Sequence, residues 1–200
     1  LVMLKKNKTY CVDRLVYINA PNNLPFNLRR KEKTKVSDAY IRPVSIKYLR
    51  ERLIGNPNND VRCYKNRVFF ARRANQRNYN QDEVFAVFEK KWFRKVFMED
   101  LSLREQIDLM SNAEMIAGPT GAAWTNLIFC SEGTKCLCWM AEEFKEFSGY
   151  SNLAHIVGAD LRYITFRAGT QSTRDLYKLD YHIDKRKIED ALSTLLSEIS

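Results

Sequence analysis

The feature that most constrains this 200-residue chain is the order of its short apolar segments, which alternate between strand-like and helix-like character. Strand-like runs are expected at 14–20 (RLVYINA), 67–71 (RVFFA), 94–98 (RKVFM), 114–118 (EMIAG), 134–140 (TKCLCWM) and 161–167 (LRYITFR). Between them, apolar residues recur at helical spacing. In 45–54 these are Ile46, Leu49, Leu53 and Ile54; in 80–92, Val84, Val87, Phe88 and Trp92; in 102–113, Leu103, Ile107 and Met110. Asn80 with Glu83, and Ser102 with Glu105, have the spacing of a capping box. Residues 121–130 and 185–200 read as further helices, and Pro21 to about Val36 as a Pro/Asn-rich, basic loop. Strand and helix in repeated succession with short connections predict an α/β layer structure with a mainly parallel sheet.

Charge narrows the partners. Residues 1–100 hold 23 Lys/Arg against 10 Asp/Glu, whereas residues 101–200 hold 10 against 14. A basic half of that size faces solvent or something anionic: nucleic acid, a membrane surface, a nucleotide or an acidic glycan. The apolar runs are too short and too interrupted for a membrane span of roughly 20 residues. The start Leu-Val-Met-Leu-Lys-Lys, without a methionine at position 1, reads as a fragment of a longer chain, and no signal peptide is visible. Five cysteines (Cys11, Cys63, Cys130, Cys136, Cys138) are odd in number and lack C-x-x-C spacing. They read as buried, reduced thiols of a cytosolic protein, with no metal site.

Ligands of an open parallel sheet sit beyond the carboxyl ends of its strands, and two loops there have suitable chemistry. The first, 71–83 (ARRANQRNYNQDE), brings Arg72, Arg73 and Arg77 before a helix start at Asn80. Guanidinium groups beside the positive end of a helix suit a diphosphate, and a basic solvated turn is the competing reading. The second is the small-residue turn after 114–118. Gly118 and Gly121 admit close approach of backbone, Thr120 is placed to cap the following helix, and the first N–H groups there are open to an anion. The turn is neither a Walker loop nor a G-x-G-x-x-G fingerprint.

These segments together, FFARRANQRNYNQDEV, LSLREQIDLMSNAEMIAGPTGAAWTNLIF and GTKCLCW, resemble glycosyltransferase family 61 over roughly residues 40–140. Arg72, Arg77, Asn80, Glu83 and Gln106 stand at positions of the family pattern, and Gly121, Ala122, Thr125 and Asn126 match its turn. Thr120 stands where the family has His, and Trp124, read as core filling in preference to a wall of the pocket, where it usually has Leu.

The resemblance implies a Rossmann-like sheet with helices on both faces, the donor-binding half of a GT-B arrangement. Residues 61–200 would be the nucleotide-sugar domain, and 1–60 its edge or a remnant of the acceptor half. It further implies inverting transfer from a nucleotide sugar, most often a UDP-sugar, to a glycan or lipid-linked saccharide hydroxyl; with no two aspartates two apart to form an Asp-x-Asp metal motif, the transfer reads as metal-independent. The donor site would comprise Arg72, Arg73, Arg77, Asn80, Thr120, Gly121, Ala122, Thr125 and Asn126, supported by Gln106 and Gly118. No cofactor is expected beyond the donor. Glu83 is the candidate base, competing with its role as a capping residue; His155 and His182 fall outside the pattern.

Two other readings stay open. One is a catalytically impaired or glycan-binding scaffold, suggested by Thr120. The other is a nucleic-acid module using the basic half with Tyr64, Phe69, Phe70 and Tyr79, disfavoured because a core would claim those rings. Composition suits a bacterial cytoplasmic enzyme of capsular glycan synthesis, with peripheral association at the inner membrane. The sequon at Asn7 leaves a luminal eukaryotic member open.

Overall fold

The computed structural model describes residues 6–11, 13–14, 22, 35–54, 66–73, 77–176 and 178–198. Nearly all of the expected strand 14–20 and the loop after it, the 60/61 boundary, Cys63 and Tyr64 lie outside the described residues. In chain order the main elements are α1 (Pro43–Ile54), β1 (Asn66–Phe70), α2 (Gln81–Glu89), β2 (Phe93–Val96), α3 (Leu103–Ser111) and β3 (Ala113–Pro119). A 3₁₀ helix (Ala122–Phe129), β4 (Lys135–Ala141), α4 (Gly149–Val157), β5 (Asp160–Phe166), the single turn α5 (Thr173–Leu176) and α6 (Lys185–Ser197) follow.

The five strands form one all-parallel sheet in the order β2-β1-β3-β4-β5. This is the α/β Rossmann-like architecture expected. Alternation along the strands divides the core in two. Val68, Phe70, Ile116, Cys136 and Cys138 face α1, α3, the 3₁₀ helix and α4. Phe69, Met115, Ala117, Leu137 and Trp139 face α2 and α6. Because both faces are covered at the centre of the sheet, the inner strands β1, β3 and β4 read as largely continuous apolar runs. Gly118 is set by that packing, since a Cβ there would lie 2.6 Å from the Cβ of Phe70 on the neighbouring strand.

Local chemistry explains most element ends. The capping box of α3 is formed: the Ser102 side chain accepts from the Glu105 N–H, and Glu105 accepts from the Ser102 N–H at 2.8 Å. The box expected at Asn80 is not. Asn80 occupies the cap position without capping, because its side chain pairs with the backbone of Ile183 instead. Nor does Trp92 join the buried stripe of α2. Trp92 and Phe93 are adjacent and cannot both turn inward. Phe93 takes the buried place, paired with Arg67 across the sheet, and Trp92 is turned out with φ of 65°.

The segment expected as a helix over 121–130 is a 3₁₀ helix, closed by bonds such as Trp124 N–H to Gly121 at 3.1 Å. Its rise of about 2.0 Å per residue lets eight residues run back roughly 16 Å beside the sheet, where an α-helix would cover about 12 Å. Arg50 of α1 caps its far end by donating to the carbonyls of Ile128 and Cys130. Three cysteines on this side, Cys130, Cys136 and Cys138, are free and buried; burial pushes the Cys130 thiol up to about 12. Among the described residues, no helix is long and apolar enough to cross a membrane.

Candidate functional site

Strand order reverses between β1 and β3. The chain leaves β1 toward one edge of the sheet and leaves β3 toward the other, so a crevice opens beyond their carboxyl ends. Both loops singled out from sequence meet there. A cleft of about 360 Å³ is lined by Arg72, Arg73, Arg77 and Glu99 on one side and by Pro119, Gly121, Ala122 and Ala123 on the other. A smaller adjoining cleft of about 190 Å³ lies among Arg72, Arg73, Arg77, Tyr79 and Asp82.

The three arginines differ in what holds them. Arg72 is fixed at its backbone by Gln81, whose amide accepts from the Arg72 N–H at 2.7 Å and donates to its carbonyl at 3.0 Å. Its guanidinium reaches across the crevice and donates to the Thr120 carbonyl at 2.6 Å. A carbonyl satisfies a donor without cancelling its charge. Arg73 is instead exposed and forked onto both carboxylate oxygens of Asp100, at 2.5 and 2.6 Å, with Glu99 at 3.3 Å. These partners raise its pKa, chiefly through the Asp100 bond. Arg77 is half-buried and lines both clefts, with φ of 53°, a region that side chains other than glycine rarely adopt.

Gln106, half-buried on α3, donates to the carbonyls of Met98 and Leu101. It therefore shapes the turn that brings Glu99 and Asp100 to Arg73. Glu83 is exposed in the first turn of α2 and accepts from the Asn80 amide at 2.7 Å. Among the described residues, the carboxylate lining the larger cleft is Glu99.

Beyond β3, Thr120 is buried and does not cap the helix: its hydroxyl donates to the Trp139 carbonyl at 2.6 Å. Trp124 is fully buried, edge-on to Phe70, and its indole N–H holds the Pro119 carbonyl at 2.9 Å. The Tyr150 hydroxyl donates to the Gly121 carbonyl at 2.8 Å. With its carbonyls so tethered, and with the Thr120 N–H bonded to the Trp139 carbonyl at 2.9 Å, the turn is held fixed beside the crevice; the opening N–H groups of a helix have no partner within it. Gly121 is extended, at φ of 174°, so backbone freedom does not require glycine there. A Cβ there would stand 2.9 Å from the Arg72 guanidinium, the far end of a flexible side chain, so a larger residue would displace that group rather than the backbone. Thr125 and Asn126 donate to the Ala122 and Ala123 carbonyls within the same turn.

Residues that sequence reasoning did not assign to the site come from the far end of the chain. The segment 78–80 is bound to 180–183: Asn78 N–H to Asp180 at 2.7 Å, Tyr181 N–H to the Asn78 carbonyl at 2.9 Å, and Asn80 to both backbone groups of Ile183. Tyr79 stacks on Tyr181 at 5.2 Å, and Tyr181 on Phe166 at 4.1 Å, with Trp139 edge-on to Tyr79. Burial pushes the Tyr181 hydroxyl up to about 12 and Tyr79 higher, so both rings stay neutral. No sequence pattern announces this stack, because only the sheet topology brings its members together.

Phe69 and Phe70 are core residues and Tyr79 is committed to the stack, so these rings are not free to bind bases. His155 lies exposed in the last turn of α4, away from the crevice, and His182 is exposed before α6. Among the described residues, no group of three or more His, Cys, Asp or Glu is placed to hold a metal ion. No curated protein matches the chain. The family description Glycosyltransferase 61 matches residues 2–137, more than half of the chain and both loops of the crevice, and the chain belongs to that family of glycosyltransferases.

Proposed function

We propose that this chain binds the diphosphate of a nucleotide sugar, a UDP-sugar foremost, in the crevice between β1 and β3, and transfers the sugar with inversion to a glycan or lipid-linked saccharide hydroxyl. The observation that carries the reading is the meeting of Arg72 and Arg77 with the Gly121–Ala122 backbone across one cleft at the point where strand order reverses. As the glycosidic bond breaks, negative charge builds on the departing diphosphate. Fixed cations and N–H dipoles aimed at that charge stabilise it without reorganising. Arg72 and Arg77 supply the cations, and the start of the 3₁₀ helix supplies the dipoles. Arg73 is already neutralised and serves to hold the cleft wall. The charge on the leaving group is thus met by the chain's own groups.

Calorimetric titration with UDP, GDP, CDP and ADP, in EDTA and then in magnesium, tests the reading. Selective binding of one diphosphate, retained in EDTA and weakened roughly 10- to 150-fold by Arg77→Ala, is the expected result. Binding of none, or binding indifferent to Arg77, overturns it.

A further inference from the structure

At the opposite end of the sheet from the crevice, one residue defies the burial pattern. Trp92 is 87% exposed, while the chain's other two tryptophans, Trp124 and Trp139, are fully buried. It sits at the tip of the turn leading from α2 into the edge strand β2, in the left-handed region at φ of 65°. The turn is held firmly: Lys91 N–H bonds Phe88 at 2.9 Å, Trp92 N–H bonds Glu89 at 3.0 Å, and Arg67 clamps the Lys91 carbonyl at 3.0 Å. The outward indole is therefore built into the turn.

Its neighbours in KKWFRK are cationic. Lys95 is occupied by Asp82 at 2.7 Å and leans on the Phe85 ring. Lys90, Lys91 and Arg94 are exposed, and among the described residues none of the three enters an ion pair. We infer that this turn is a docking point for an anionic lipid surface, with Trp92 seated among the headgroups and Lys90, Lys91 and Arg94 facing their phosphates.

The chemistry favours a bilayer over other partners. A stable protein interface buries about 800 Å² per side with an apolar centre, which one isolated indole does not supply. Tryptophan ringed by Lys and Arg is matched to the membrane–water boundary, where an amphipathic ring and cations each find a partner. Three cations and one ring give weak attachment that depends on anionic lipid and fades with salt. Docked this way, the protein turns its crevice away from the headgroups. The inference stands whether or not the crevice takes a nucleotide.

Vesicle sedimentation and tryptophan emission test it, with phosphatidylcholine alone and phosphatidylcholine mixed with phosphatidylglycerol. The protein should partition onto the mixed vesicles only, with Trp92 emission shifting to the blue and becoming shielded from acrylamide. Lys90→Glu with Lys91→Glu should lower the partition at least about ten-fold. Trp92→Asn, a residue tolerant of positive φ, should abolish the spectral change while the cations remain. Both variants alter exposed side chains, and an unchanged urea midpoint confirms their fold. Equal partition onto neutral and mixed vesicles, no partition onto either, indifference to the charge reversal, or preference for single-stranded RNA over the mixed vesicles would each overturn the inference.

Discussion

Arg162 and Arg72 lie near opposite ends of the same sheet and are bound in opposite ways. At the amino ends of β4 and β5, Arg162 and Lys135 share the carboxylates of Asp160 and Glu198, at 2.5 to 3.1 Å, locking α6 to the sheet. Beyond the carboxyl end of β1, Arg72 meets a backbone carbonyl. The first arrangement consumes charge to fix the fold. The second fixes a cation while leaving its charge for something else. Proximity of an arginine to a strand end therefore says little by itself; the partner it has been given decides what it is for. Arg73 makes the point within the site, since it borders the cleft yet is spent on Asp100 and Glu99.

The largest perturbation of this contrast is Trp124→Ala. Removing that buried ring should cost about 3–5 kcal/mol, read from urea denaturation, and should loosen the Pro119 turn that receives Arg72. Next is Arg72→Ala, expected to weaken the diphosphate by about 1.5–3 kcal/mol in calorimetry with a much smaller shift of the urea midpoint. An unchanged affinity would erase the distinction between the two ends.

Arg162→Ala should do the reverse, leaving binding intact and costing about 1 kcal/mol or less, because its partners are partly solvated. The Arg162 and Lys135 bonds hold the Asp160 carboxyl below the usual carboxylate range. A depressed folded value means this stabilisation is present above the unfolded value of about 3.9 and is lost as pH falls through the lower, folded one. Arg162→Ala should accordingly flatten the stability profile below about pH 4. Smallest is Arg73→Ala, expected to alter diphosphate affinity by less than about three-fold in the same titration, since its charge is already answered.

What the sequence revealed follows from which forces act locally. All five strands of the sheet were legible within a residue or two, the inner three, β1, β3 and β4, because burial on both faces makes them largely continuous apolar runs. The Ser102 box was legible because its partners are three residues apart. Asn80 has the same spacing with Glu83, but tertiary bonds to Ile183 outcompete the cap. Trp92 fits the helical period of α2 but loses to Phe93 at the strand start. α4 was not anticipated, its start being Gly149, Tyr150 and Ser151 without a side-chain cap. At the site, the two loops could be read from Arg and Gly content and from the family resemblance. The neutralisation of Arg73, the orientation of Thr120 and the arrival of Tyr181 could not, since each depends on residues that only folding brings close.

The bonds between 78–80 and 180–183 also bear on how the protein is made. Domains form as the chain leaves the ribosome, amino-terminal parts first. Here the loop after β1 emerges early, yet the groups that hold it, from Asp180 to Ile183, are translated 102 or 103 positions later. The Tyr79 side of the crevice is thus left unfinished until those residues follow, and a nascent chain halted before Tyr181 would have its sheet strands, and the partners of Arg72 and Arg73, with 78–80 still unheld.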